Sequence, residues 1–119
     1  MAGGRMRRVD EAVREVLSDA IAKDLQDPRV GFVTVTGVKT SPDLRHARVY
    51  VSVLGDEQAR DASLAGLRSA HGLLQRAIAA ELSLKRTPML TFHFDESVQR
   101  GMRISALIDE RSEPGHPDG

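Results

Sequence analysis

The chain has 119 residues, with 17 basic and 17 acidic side chains and no cysteine. This length suits one domain with a modest hydrophobic core, and the missing cysteines exclude disulfides, thiolate catalysis and cysteine-ligated metal centres. The basic start leads into an amphipathic pattern, and no apolar stretch is long enough to cross a bilayer. We therefore predict a cytoplasmic protein with no signal peptide and no membrane contact.

The charges are segregated along the chain, although the net charge is zero. Residues 1–8 hold three arginines and no acid, and residues 9–27 hold six acids against two bases. Residues 67–90 hold four bases against one acid, and residues 109–119 are acidic. One basic face on a neutral molecule would suit docking onto phosphates, whereas ordinary solvated charge explains the same distribution equally well. Both interpretations stay open.

The first third of the chain predicts a helix and then a strand. Apolar residues at helical spacing begin at Val9, and the helix should end near Asp27 because Pro28 disfavours helical geometry in the residue before it. The β-branched, alternating segment over 32–36 then predicts a strand. Its alternation resumes out of phase after Gly37, which indicates a β-bulge at that glycine.

A second strand and a helical region follow. Turn residues over 41–44 lead to a strand over 48–53, whose inward side chains should be Val49, Val51 and Val53, so the two strands form an antiparallel hairpin. Asp56 should cap the next helix. Helical spacing then continues as far as Leu84, and it leaves open whether one long helix or two are present. Gly72 is the local indication of a break, because a glycine inside a helix costs about 1 kcal/mol relative to alanine.

The last part predicts a third strand over 90–95, with Leu90, Phe92 and Phe94 on one face and polar residues on the other. Ser97 should cap a short final helix that reaches residue 108. Residues 112–119 should be a disordered tail after a single domain over 1–111. Because one sheet must bury its apolar face against the helices, the order helix, strand, strand, helix, break, helix, strand, helix predicts a two-layer α+β fold.

This order resembles the type II KH fold, which binds single-stranded nucleic acid with a loop between two helices. The Gly-x-x-Gly signature of that loop is absent, and Ala70-His71-Gly72 stands in its place. That substitution is typical of the ribosome-binding factor A family, and further segments between Arg5 and Leu107 resemble the same family. These segments are Arg8-Val9, Asp27-Pro28-Arg29, Val33-Thr34-Val35-Thr36-Gly37-Val38, Ser41-Pro42-Asp43-Leu44, Ala47-Arg48-Val49-Tyr50-Val51-Ser52, Leu82-Ser83-Leu84-Lys85-Arg86-Thr87-Pro88-Met89-Leu90-Thr91-Phe92 and Gly101-Met102-Arg103-Ile104.

The resemblance implies binding to the small ribosomal subunit or its precursor through 16S rRNA. It also implies a role in late maturation and 5′-end processing of that RNA, and in cold adaptation, without catalytic activity. We expect a monomer without cofactor, metal or small-molecule substrate, and a ribosome-assembly GTPase stays open as a further partner. By the same resemblance, Ala70 and Gly72 permit a helical kink, and a helix restarting at Leu73 directs free backbone NH groups toward a phosphate.

The candidate RNA-binding residues surround the predicted break, with further candidates on the hairpin and ahead of the first helix. They are Arg68, Ser69, Ala70, His71, Gly72, Gln75, Arg76, Lys85 and Arg86, together with Arg7, Arg8, Arg45 and Arg48. A wet helix surface explains the cations as well, and His71 is equally an exposed residue at a variable position. Because the chain has three Phe, one Tyr and no Trp, we expect recognition by backbone charge and RNA shape rather than by base stacking.

Two other classes of function stay open. A small metal-dependent hydrolase would use His93, Asp95 and Glu96, although two ligands on one strand face without a third partner are more typical of a polar sheet surface. An adaptor that binds only proteins would use the acidic first helix as its docking surface. Salt dependence separates the second class from RNA binding, because phosphate contacts make affinity fall steeply with salt.

Overall fold

The computed structural model describes residues 2–97. The elements in chain order are α1 (Ala2–Lys23), β1 (Val33–Thr40), β2 (His46–Val53), α2 (Glu57–Ser69), α3 (His71–Glu81) and β3 (Met89–Phe94). β1 and β2 form an antiparallel hairpin, and β3 lies parallel to β2 on its other side, so the strand order is β1-β2-β3. This architecture confirms the predicted α+β fold, whereas the predicted helix over 98–108 and the tail over 112–119 lie outside the described residues.

The helices form one layer and the sheet forms the other. α1 packs on β1 and α3, while α2 and α3 pack on β3. Along β2, the side chains of Ala47, Val49 and Val51 are fully buried, and those of His46 and Arg48 are exposed. The alternation means that one face of the sheet meets the helices and the other remains open. The buried apolar core consists of Val13, Leu17, Ala20, Val35, Val38, Ala47, Val49, Val51, Leu64, Leu67, Leu74, Ile78, Leu90 and Phe92.

α1 begins earlier and ends earlier than predicted. Met6 lies half-buried one turn before Val9, so the apolar stripe of the helix extends toward its start, and Arg7 and Arg8 lie on the helix rather than ahead of it. At the other end, the NH groups of Asp24 and Leu25 both donate to the carbonyl of Ala20, at 2.8 and 3.1 Å. This widened turn ends the helix at Lys23 instead of near residue 27.

The hairpin follows the predicted pattern. Its pairing register shifts between Val35 and Gly37, which confirms the β-bulge and allows Val35 and Val38 both to face the core. β2 begins two residues earlier than predicted, at His46. Phe32 does not belong to β1, and its side chain is 80% exposed. The bulge therefore keeps one continuous apolar face on the hairpin.

The helical region after the hairpin is divided in two. The Asp56 carboxylate accepts a hydrogen bond from the NH of Ala59 at 2.9 Å and so caps α2 as predicted. The break lies at Ala70, whose φ of −93° and ψ of 11° leave the helical region, and α3 begins at His71. The predicted restart at Leu73 is therefore two residues too late. Gly72 lies inside the first turn of α3 and does not itself form the break.

β3 closes the core. Leu90 and Phe92 are buried. The guanidinium carbon of Arg60 lies over the ring of the half-buried Phe94, 4.4 Å from its centroid. After the strand, the Asp95 carboxylate accepts a hydrogen bond from the NH of Ser97 at 3.0 Å. Among the described residues, no helix is long and apolar enough to cross a membrane.

Candidate nucleic-acid interface

The start of α3 presents backbone NH groups without a side-chain cap. Ala70 is the N-cap residue, and its side chain makes no capping hydrogen bond. The NH of Leu74 is the first that bonds back into the helix, donating to the carbonyl of Ala70 at 3.0 Å. The NH groups of the preceding turn have no intrahelical acceptor, and they lie at the positive end of the helix dipole. This turn has the electrostatic character of an anion-binding site.

A groove of about 550 Å³ runs from this break to the outer edge of β3. Arg68 from α2 and His71 and Gln75 from α3 line one side of it, and residues 89–93 of β3 line the other. His71 is held across the break, because its Nδ1 lies 3.0 Å from the carbonyl oxygen of Arg68. The structure thus brings three of the predicted residues together with a strand edge.

The free edge of β3 explains the shape of the groove. The NH groups of Met89 and Asp95 donate to β2 and its preceding turn, so the backbone groups of the intervening residues Leu90 and Phe92 point away from the sheet. Arg68 donates from Nη2 to the carbonyl of Phe92 at 3.0 Å, and Gln75 accepts from the NH of Leu90 at 3.5 Å. Two candidate RNA-binding side chains therefore also cover an exposed sheet edge.

Arg76 stands beside the start of α3. A Cβ atom added to Gly72 would lie 3.7 Å from Nη1 of Arg76, so the guanidinium covers the first turn of its own helix. A cation at the positive end of a helix dipole is unfavourable by itself and becomes favourable when an anion lies between the two. Lys85 and Arg86 are exposed in the segment that leads from α3 to β3, and they do not line the groove.

The other predicted residues lie elsewhere. Arg7 and Arg8 are on α1, which packs on β1, the edge of the sheet opposite the groove. Arg45 is in the hairpin turn, where its Nε lies 3.5 Å from Asp43. Ser69 is engaged by Arg29, which donates from Nη2 to its hydroxyl at 3.1 Å. Arg48 is exposed on the open face of the sheet.

The turn Asp27-Pro28-Arg29 supports the end of α2, a contact that the sequence did not predict. Arg29 donates to the Asp27 carboxylate, with its Nη2 at 2.6 Å from Oδ2, and the NH of Arg29 donates to Oδ1. These bonds hold the pKa of Asp27 at about 2, against an ordinary value of 3.8. The turn passes over Gly66, where an added Cβ would lie 2.6 Å from Cγ2 of Val30. The glycine within α2 was the available signal.

The two alternative functions predicted a metal site at His93, Asp95 and Glu96 and a docking surface for proteins on α1. His93 lies 2.9 Å from the hydroxyl of Thr91, and Asp95 accepts from Thr36 at 2.6 Å. Over residues 2–97, no group of three or more His, Asp or Glu side chains is arranged to hold a metal ion. The acidic side of α1 forms a second groove, of about 510 Å³, with α3. Its charged lining residues are Glu15, Asp19, Lys23, Asp24 and Glu81.

The fold and the divided helical region define a KH-like α+β domain. Residues 5–108 match the family model of ribosome-binding factor A. A ribosome-binding factor A from Anaeromyxobacter sp. (strain K) is 52% identical over 112 residues, covering 93% of this chain and 81% of that protein. The chain belongs to the ribosome-binding factor A family.

Solved structures of ribosome-binding factor A are similar in fold to this chain. The crystal structure of ribosome-binding factor A from Thermus thermophilus superposes with a TM-score of 0.67 at 28% identity, covering 74% of this chain and 93% of that one. A homology model of the Thermus thermophilus protein, fitted into a cryo-EM map of its complex with the 30S subunit, gives a TM-score of 0.61 at 29% identity over 73% of this chain and 91% of that one. That relative is thus a protein seen on the small ribosomal subunit.

Proposed function

We propose that this protein binds the small ribosomal subunit or its precursor through 16S rRNA and assists late maturation and 5′-end processing of that RNA, including growth in the cold. Membership of the family and the 30S complex of a relative support this proposal. The protein acts by binding, as a cytoplasmic monomer with a domain over residues 1–111, and it catalyses no reaction. A ribosome-assembly GTPase is a candidate partner.

The position of Arg76 carries the proposal for the site. Its guanidinium lies against the first turn of α3, where the uncapped NH groups already attract negative charge. Within residues 2–97, Arg76 makes no ion pair that would neutralise it. An RNA phosphate at this point would satisfy the guanidinium and the NH groups together, because charge-assisted hydrogen bonds to phosphate are among the stronger ones in proteins.

Arg76→Gln tests this site. We expect the variant to bind purified small subunits more weakly, and the slope of log affinity against log salt to become shallower by about 0.7–0.9 for the one lost phosphate contact. Co-sedimentation over a salt series measures both quantities. Arg14→Gln is the matched control, because it removes one arginine from α1 that is paired with Glu11 at 2.7 Å. Equal slopes for Arg76→Gln and the parent would refute the phosphate contact.

The maturation role is tested in cells. A strain that lacks the gene should accumulate 16S rRNA with an unprocessed 5′ end at low temperature, and the parent gene should restore the mature end. We expect the Arg76→Gln gene to restore it less well than the Arg14→Gln gene. Primer extension across the 5′ end of 16S rRNA measures the ratio of precursor to mature RNA. Normal 5′ ends in the strain without the gene would contradict the role.

A further inference from the structure

The open face of the sheet carries a polar row that crosses all three strands, with a cation on β1 and on β2. We define this open face by the outward side chains of Lys39, Arg48, Tyr50, Thr91 and His93. Lys39 is paired directly opposite Arg48, and Arg48 is next to Thr91 on β3. Lys39 and Arg48 are exposed. Over residues 2–97, neither of them forms an ion pair.

Two like charges directly opposite each other on neighbouring strands destabilise a sheet. The Cβ atoms of such pairs lie about 4.5–5.5 Å apart, within the screening length of about 8 Å at physiological salt. No carboxylate occupies the row of Lys39, Arg48 and Thr91. The arrangement is unfavourable in the free protein and becomes favourable when a polyanion lies across it.

The next row of the open face presents two rings. Tyr50 is paired with His93, and their ring centroids lie 5.6 Å apart at an interplanar angle of 35°. Both side chains are partly exposed, and His93 is fixed by its contact with the Thr91 hydroxyl at 2.9 Å. Aromatic rings on a sheet beside basic side chains form a surface on which unpaired bases stack. The Tyr50 ring is the single tyrosine of the chain.

The open face is continuous with the groove beside α3. Thr91 and His93 line that groove and also face outward beside Arg48 and Tyr50. A strand of RNA leaving the groove over β3 would therefore reach the two rings first and Lys39 next, since neighbouring strands are about 4.8 Å apart. The acidic groove between α1 and α3 lies in the opposite layer, away from this path.

We propose that the open face is a second RNA-binding surface, on which a single-stranded segment stacks a base on Tyr50 and His93 and places phosphates on Lys39 and Arg48. The proposal takes its ligand class from the proposed function but uses a different face of the molecule from the Arg76 site. It assigns base stacking to a protein whose composition alone favoured recognition by charge and shape.

The lone tyrosine makes the surface directly observable. Because the chain has one Tyr and no Trp, the tyrosine emission of the full-length protein comes from Tyr50 alone. We expect a single-stranded oligouridylate of about 12 nucleotides, within the 4–16 that one small binding domain covers, to quench this emission saturably at low salt, after correction for absorption by the bases. An oligomer of abasic sugar phosphates of the same length should bind more weakly and leave the emission unchanged.

Substitutions separate stacking from charge. In fluorescence anisotropy with labelled oligouridylate, Tyr50→Leu should weaken binding about 5- to 100-fold, the range expected for loss of one stacked base, while Tyr50→Phe should keep most of the affinity. Lys39→Gln and Arg48→Gln should each make the salt slope shallower by about 0.7. Lys23→Gln, at the acidic groove, is the charge-matched control and should leave the slope unchanged. Thermal melts by circular dichroism verify that each variant folds.

The outcomes distinguish this surface from the Arg76 site. If Arg76→Gln alone weakens binding and the open-face variants equal the parent, the proposed function stands and the open face is refuted as an RNA surface. If the open-face variants weaken oligouridylate binding while Arg76→Gln does not affect binding to the subunit, the open face is supported and the Arg76 site fails. Unchanged Tyr50 emission at saturation, or a protein dimer that buries Tyr50 without RNA, overturns the inference.

Discussion

Gly66 in α2 and Gly72 in α3 differ in how closely other atoms pack against them. An added Cβ at Gly66 would overlap Cγ2 of Val30 at 2.6 Å and would lie 3.4 Å from the Asp27 carboxylate. At Gly72 the nearest atom to an added Cβ is the tip of Arg76, at 3.7 Å. Gly66 is therefore required by a close approach of the chain to α2, whereas nothing in the fold requires a glycine at 72. A close approach of RNA to the backbone would supply the reason for Gly72.

Replacing Gly66 and Gly72 by alanine should change the stability of the fold in opposite directions. Gly66→Ala should destabilise the fold by about 1–3 kcal/mol, because the stiff Val30 side chain must move. Gly72→Ala should keep or raise stability, because alanine favours the helix by up to about 1 kcal/mol, but should weaken subunit binding. Urea unfolding and co-sedimentation measure the two effects. Equal unfolding midpoints for Gly66→Ala and Gly72→Ala would contradict this assignment.

Asp27 should contribute stability that depends on pH. Because its pKa is about 2 in the folded protein against an ordinary 3.8, folding favours the charged carboxylate. The contribution is therefore fully present above about pH 4 and is lost as the pH falls through 2. We expect the difference in urea midpoint between the parent and Asp27→Asn to be largest at about pH 5 and to shrink toward about pH 2. Asp61→Asn, on the exposed side of α2, is the control. A difference in urea midpoint between the parent and Asp27→Asn that stays constant with pH would be inconsistent with the hydrogen bonds between Asp27 and Arg29.

At the scale of elements, the contact between α2 and the edge of β3 gives Arg68 a structural role. Its guanidinium donates to the Phe92 carbonyl at 3.0 Å, so removing it leaves a partly buried acceptor without its partner. Arg68→Gln should therefore lower the free energy of unfolding by about 1 kcal/mol, or about 4–6 °C in Tm. Arg76→Gln, on an exposed helix surface, should stay within about 0.5 kcal/mol of the parent. A Tm for Arg68→Gln equal to that of the parent would rule out this role. Because Arg68 also supports the fold, any loss of RNA binding by Arg68→Gln must be compared with its change in Tm.

The elements differ in how well local sequence predicted them. Alternation and turn residues were sufficient for the hairpin and its bulge at Gly37, because both are set by neighbours in the chain. The groove was not predictable in this way. Periodicity showed which side chains of β3 alternate but not that β3 pairs with β2 and turns its other edge toward Arg68 and Gln75. Likewise, Gly72 drew attention to the right region, while the break itself occurs at Ala70, which the family resemblance placed at the kink but which carries no strong local signal.

The whole molecule is neutral, but two of its surfaces differ in charge. Four carboxylates and Lys23 line the groove between α1 and α3 in the helical layer, and the sheet presents Lys39 and Arg48 on its open face. A neutral protein with this separation has no net attraction to a polyanion but a preferred orientation near one. The sheet side and its edge should face the RNA, with the acidic groove turned outward.

Removing acids from the outward groove distinguishes RNA docking from a protein adaptor. We expect the double variant Asp19→Asn, Asp24→Asn to bind small subunits within about threefold of the parent, because charges beyond a Debye length of about 8 Å are largely screened. Co-sedimentation at physiological salt is the measurement, and Glu57→Gln on α2 serves as a carboxylate control. A loss of subunit binding confined to the double variant would favour the adaptor.

The parallel pairing of β2 with β3 also has a consequence during translation. His46 meets Met89, far later in the chain, and α2 and α3 lie between them. A nascent chain that has not yet exposed residues 89–94 cannot complete its sheet, although both strands of the hairpin have already been synthesised. Val49 and Val51 then lack the cover of Phe92, so the growing polypeptide keeps an unfinished apolar surface until residues 89–94 have been made and released.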